Sequence, residues 1–162
     1  VYGADRVGIK LSPGGGFNDT GMPLADARET YGALVRAAVG LGLAYVQLVR
    51  AAPPPPQAQA TSDPLRPNAG TFHDIVGTYG PLVQGSRTRL VLNGALTPDA
   101  ADALIKEGKA DAVAFGRPWV NNPDLQKRIA AGVPLATDLN FARLWAFDAD
   151  PADGYTTYPT AT

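Results

Sequence analysis

The stretch Ala110–Asp111–Ala112–Val113–Ala114–Phe115–Gly116–Arg117–Pro118 decides how the chain is read. A short apolar run, residues 113–115, stands between an aspartate and the triplet Gly-Arg-Pro. Brief apolar runs bounded by turn residues are the mark of strands buried in a parallel sheet. At the C-terminal end of such a strand, glycine lets backbone N–H groups come close to a ligand. Arginine adds a permanent, planar cation with several donors. A strand end carrying both is a seat for a phosphate.

Working outward, the same alternation recurs. Residues 7–12 form a strand candidate ended by Pro13 and three glycines, and Asn18, Asp19 and Thr20 continue the loop. Residues 23–26 offer a helix start, and Tyr31, Leu34, Val35 and Ala38 follow at helical spacing until Gly40 and Gly42. Residues 45–49 and 89–93 are the second and third strands, and 113–115 the fourth. Between the second and third lies a weaker helix, residues 72–82, interrupted by Gly77 and Gly80. Thr97 with Pro98 marks a helix N-terminus, as an N-cap followed by a proline at the first helical position. That helix runs from 100 to 106 and stops at Gly108. A last helix, 124–130, stops at Gly132. Residues 51–70, with four consecutive prolines, read as an exposed loop, and residues 135–162 as an irregular tail.

The order is β-α-β-loop-α-β-α-β-α. Strands alternating with helices imply an α/β fold with a parallel sheet and right-handed crossovers. Four such units make half of an eight-stranded barrel, or a small open sheet. The expectation is one domain, residues 1–162.

Composition narrows the function classes. Hydrophobic residues at 45% and charged residues at 18% favour a folded chain over a disordered one. A formal charge of −1 argues against a nucleic-acid binder or an anionic-membrane binder. With no cysteine and one histidine, thiolate and multi-histidine metal sites are excluded within one chain. The sequence shows no membrane-spanning run and no signal segment, so a cytoplasmic location is expected. It begins at Val1 and enters a strand almost at once, which suggests that something precedes it.

In parallel α/β folds ligands gather at the C-terminal ends of strands. Those positions here are Lys10, Ser12 and Pro13; Gln47 and Arg50; Asn93, Gly94 and Ala95; and Phe115, Gly116 and Arg117. Singly, Asn93–Gly94 is a common turn and Gly116–Arg117–Pro118 a strand-to-helix corner. At matched strand ends, the two glycines would let two loops donate to one anion. Lys10 interrupts an apolar strand, either as a snorkelling edge residue or as a cation facing a ligand. His73, beside Asp74, reads as a surface or helix-start histidine, since adjacent helical residues do not face each other. Trp119, Phe141, Trp145 and Phe147 read as packing residues.

These motifs carry a resemblance. Arg6–Val7–Gly8–Ile9–Lys10–Leu11–Ser12–Pro13, followed by Phe17–Asn18–Asp19, resembles the fifth barrel strand of the old yellow enzyme family. Leu92–Asn93–Gly94 with Thr97–Pro98 is similar to the seventh strand and the helix after it. The opening stretch, with Asn122–Pro123–Asp124–Leu125, resembles the eighth, and Gly154–Tyr155–Thr156–Thr157–Tyr158–Pro159 resembles the usual ending. The resemblance implies a parallel (β/α) half-barrel whose four units correspond to strands 5–8 of a TIM barrel.

It further implies an oxidoreductase that uses FMN and NAD(P)H to reduce the activated C=C bond of an enone-type small molecule. Gly94, Gly116 and Arg117 would hold the FMN phosphate, with Asn93, Ala95 and Phe115 in the same loops. Lys10 stands where the family has an arginine at the flavin N1–O2 edge, keeping the charge but losing the bidentate fork. An aromatic near Trp145 or Phe147 would pack by the flavin. The family's substrate-binding His-Asn or His-His pair and its proton-donating tyrosine belong to the first four strands, and none of those motifs is present. The resemblance therefore implies a C-terminal half without its own catalytic residues. Its partner is expected to be a complementary N-terminal half-barrel or a second copy of itself. In the latter case the chain would bind FMN or phosphate without ene-reductase activity.

Overall fold

The computed structural model describes residues 2–16, 20–50, 71–144 and 150–161. Phe17, Asn18 and Asp19, the loop 51–70, and Trp145 and Phe147 lie outside the described residues. The chain divides into two compact units, Val1–Ala114 and Phe115–Thr162.

The first unit is a parallel four-stranded sheet in the order β1 (Gly8–Leu11), β2 (Tyr45–Val49), β3 (Arg89–Asn93) and β4 (Ala112–Ala114). Its helices are α1 (Leu24–Leu41), α2 (Ile75–Val83) and α3 (Pro98–Lys106), preceded by a short 3-10 turn at Ala4–Arg6. Strand order equals chain order and every pair is parallel, as in half of a (β/α)8 barrel. The α/β half-barrel expectation therefore holds.

Local chemistry explains the element ends. Thr97 caps α3 by accepting from the Ala100 amide at 3.2 Å, with Pro98 behind it. Asp74 caps α2 in the same way through Gly77, at 2.9 Å. Helix α1 runs through Gly40 and ends at Gly42, which takes φ +67. There the Leu43 amide reaches back to the Ala38 carbonyl at 3.1 Å, a Schellman closure that needs the left-handed backbone glycine supplies.

The core lies on one face of the sheet. Val46, Leu48, Leu90 and Leu92 are buried against Val35 and Ala38 of α1 and Ile75, Tyr79 and Val83 of α2. Each buried side chain of this size contributes roughly 1.5–3 kcal/mol. The opposite face alternates with it. On β2 Tyr45 is exposed while Gln47 and Val49 are half-buried, and on β3 Arg89 is exposed while Val91 and Asn93 are half-buried. A parallel sheet packed on both sides would show apolar residues at every position. This one is finished on its helical side alone.

Three sequence expectations are corrected here. Strand β4 covers Ala112–Ala114, so Phe115 lies beyond it. The ladder stops where Asn93 meets Ala114, and the apolar character of Phe115 does not extend it. Residues 119–123 read from sequence as a short segment without a helix; the structure has helix α4 (Arg117–Asn121) there, with Pro118 in its first turn. His73 is buried, not on the surface.

The second unit holds α4 and α5 (Leu125–Ala131), and then turns and irregular backbone over residues 133–144 and 150–161. Among the described residues no helix is long and apolar enough to cross a membrane.

Candidate functional site

The registered pairs Val49–Asn93 and Asn93–Ala114 bring the ends of β2, β3 and β4 to one rim. Because β3 and β4 are parallel neighbours, both end at that rim, β3 running on into Gly94–Ala95. The Asn93 amide fastens the two ends by donating to the Ala114 carbonyl at 2.8 Å.

Backbone geometry at the first corner is unusual. Gly94 takes φ +96, and a Cβ there would run into the Arg50 carbonyl. Arg50 in turn donates its amide to the Asn93 carbonyl at 2.6 Å. Glycine is thus required by close approach of two strand ends as well as by its torsion. Ala95 follows at φ +49, the one non-glycine residue with positive φ among the described residues. Such a backbone costs an alanine on the order of 1–2 kcal/mol and clusters at functional sites.

Lys10 is exposed and occupies the row Lys10–Gln47–Val91–Ala112, on the unfinished face. That row lies two residues below the rim, or about 7 Å at the usual rise. Asp111 fixes the opposite end of β3 and β4. Its carboxylate accepts from the Arg89 guanidinium at 2.9 Å and from the Leu90 amide at 2.8 Å.

In the second unit Phe115 is half-buried, Gly116 is exposed as the N-cap of α4, and nothing lies within 4 Å of where a Gly116 Cβ would stand. Arg117 is exposed, with its guanidinium carbon 4.6 Å from the centre of the Phe141 ring, a cation–π placement. Phe141, read from sequence as packing, supplies that contact.

Several organising residues have roles that the sequence reading did not assign. Asn122 is fully buried, and its side chain imitates a strand backbone. Its Oδ1 accepts from the Ala136 amide at 2.8 Å and its Nδ2 donates to the Ala136 carbonyl at 3.1 Å and to the Pro118 carbonyl at 2.9 Å. Asp124 and Arg128 form a buried ion pair at 2.7 Å. The pair straps down the chain end, as Asp124 accepts from the Ala161 amide at 2.9 Å and Arg128 donates to the Pro159 carbonyl at 3.1 Å. The Arg128 hydrogen bond holds the Asp124 carboxyl below its ordinary range against the opposing effect of burial. The i,i+4 spacing of Asp124 and Arg128 could have suggested the pair; its burial could not have been read.

His73 belongs to a structural network. Its Nδ1 lies 2.8 Å from the Thr71 carbonyl and its Nε2 3.0 Å from the Tyr79 hydroxyl, which donates to the Ala27 carbonyl at 3.2 Å. Burial pushes the Tyr79 phenol up. Arg50 lines a cavity of about 350 Å³ between α2 and the end of α3, together with Asp74, Gln84 and Lys109.

No protein-family model matches the chain. Individual proteins do. It is 27% identical over 158 residues to 12-oxophytodienoate reductase 2 of Arabidopsis thaliana, covering 98% of this chain and 37% of that protein. It is 30% identical over 175 residues to a flavin oxidoreductase of Emericella nidulans, covering 99% of the chain and 42% of the relative. Among solved structures, the old yellow enzyme from Trypanosoma cruzi superposes with a TM-score of 0.69 at 29% identity, over 98% of this chain and 36% of that one. The chain thus spans about two-fifths of the length of the relatives it matches. The motifs at the strand ends, the parallel order of the sheet and this likeness in both sequence and fold agree: the proteins this chain resembles along nearly all of its length are old yellow enzyme family oxidoreductases.

Proposed function

We propose that residues 1–162 are the C-terminal, FMN-binding half of an NAD(P)H-dependent ene-reductase that reduces activated C=C bonds. The observation that carries this reading is the rim itself. Gly94 and Ala95 hold consecutive positive-φ backbone where β3 and β4 end side by side. Gly94, Gly116 and Arg117 would hold the FMN phosphate, through backbone N–H groups that glycine leaves unshielded and a guanidinium matched to phosphate oxygens. Asn93, Ala95 and Phe115 would line those loops. The donor set suits the group: an exposed arginine, two glycines with no side chain to exclude a ligand, and no carboxylate in the two corners.

Lys10 would face the flavin's N1–O2 edge, where an ammonium stabilises negative charge. The bound flavin would supply hydride transfer from the nicotinamide to the alkene. This chain's residues would bind and orient it. Binding and orienting the enone, and the proton delivered to it, fall to a complementary half-barrel, since Lys10 is the sole titratable group in the proposed cofactor set besides Arg117.

Flavin fluorescence on titration with FMN tests the assignment. Arg117→Ala is expected to weaken binding about ten- to a hundredfold, the equivalent of ~1.5–3 kcal/mol for a charge-assisted bond. Unchanged affinity would remove Arg117 from the site. With FMN and NADPH but no complementary half, this chain is expected to reduce cyclohexenone far more slowly than a full-length relative; comparable turnover would refute the division of labour.

A further inference from the structure

The proposed phosphate seat depends on one cation, Arg117, carried on an exposed side chain. A long exposed side chain spreads over many rotamers, and a ligand that must gather it loses affinity to the ordering. The Phe141 ring gives one of those positions a partner, with the guanidinium carbon over the ring and 4.6 Å from its centre. A ring face attracts a cation through its quadrupole and needs no acceptor atom. This contact therefore consumes none of the guanidinium's N–H donors, the groups that meet phosphate oxygens. A carboxylate in the same place would take both donors and charge.

Phe141 is itself braced. It is half-buried, in a turn closed by the Arg143 amide donating to the Asn140 carbonyl at 3.2 Å. The Asn140 amide donates to the Tyr158 hydroxyl at 2.9 Å, and the Arg143 guanidinium pairs with Asp153. The turn is thus tied on both sides of Phe141 to residues 150–161, and all of these groups belong to the second unit.

We infer that Phe141 is a positioning residue: it holds the Arg117 guanidinium in place for a phosphate group, and so raises phosphate affinity by acting through Arg117. The inference rests on the phosphate reading of Arg117 and adds to it a residue that no strand-end motif marks.

Paired titrations of FMN and riboflavin into the full chain, followed by flavin fluorescence, test it. Phe141→Leu is expected to weaken FMN binding about three- to tenfold and to leave riboflavin, which lacks the phosphate, unchanged. Phe141→Tyr keeps an aromatic face and is expected to bind FMN as wild type does. In an Arg117→Ala background, Phe141→Leu is expected to have no further effect on FMN, because the two side chains act as one unit. Suppose that Arg117→Ala alone weakens FMN binding. A Phe141→Leu chain with wild-type FMN affinity, or one that loses both flavins alike, would then overturn the role of Phe141 and leave the phosphate reading standing. So would a loss that persists in full in the Arg117→Ala background. If Arg117→Ala alone changes nothing, the phosphate reading falls and this inference falls with it.

Discussion

Gly94 has two independent reasons to be glycine: a φ of +96 and the Arg50 carbonyl where a Cβ would go. Gly94→Ala is therefore expected to destabilise the first unit by more than about 1 kcal/mol, seen as a lower urea midpoint. A midpoint unchanged from wild type would mean that the corner is slack. Gly116 has no such steric demand. Its place in the proposed site rests on ligand access, so Gly116→Ala should spare stability and weaken FMN binding. The two glycines could be picked out from sequence because turn residues after an apolar run are a local signal. What fastens them could not. Asn93 read as half of a turn, yet its side chain is committed to Ala114, twenty-one residues away. His73 read as a surface or helix-start residue; it does precede α2, but its burial follows from Tyr79, six residues on, whose hydroxyl is itself tied to the Ala27 carbonyl on another helix.

Among the elements, β2 and β3 have the expected bounds because a short apolar run and the turn residues beyond it mark the same limits. Leu92, buried at the centre of the core, should cost about 2–5 kcal/mol when cut to alanine. Strand β4 is only three residues long, and hydrophobicity alone put Phe115 in it. Gly116–Arg117–Pro118, readable as a strand-to-helix corner, does open helix α4, but its five residues are too few to show a helical period in the sequence. Asn122→Ala would leave the Ala136 amide and the Pro118 carbonyl without their side-chain partner. A loss of about 1–3 kcal/mol is expected, with faster hydrogen exchange at Ala136.

The strap at the chain's end should respond to acid. The folded Asp124 carboxyl is held below its ordinary value, so the unfolded state binds more protons in that range. The strap's contribution is complete above the ordinary carboxylate value. It is lost as pH falls toward the lowered folded value. Hydrogen exchange at Ala161 should accelerate across that window in wild type, and be pH-insensitive there, beyond the intrinsic trend, in Asp124→Asn.

At the scale of the molecule, four parallel strands in chain order, with α1 and α2 packed on one face, are half of a closed design. The strand–helix rhythm made that fold legible from sequence. The contrast between the two faces was only partly so, since Lys10 stood out while the alternation on β2 and β3 was absorbed into apolar runs. The proposed flavin site would need two corners to serve one anion. Riboflavin is FMN without its phosphate, which makes paired titrations of the two, followed by flavin fluorescence, the most direct measurement. FMN is expected to bind at least ten-fold more tightly than riboflavin, and Arg117→Ala to erase most of that difference. Equal affinity for the two flavins would contradict a phosphate seat at Gly94, Gly116 and Arg117.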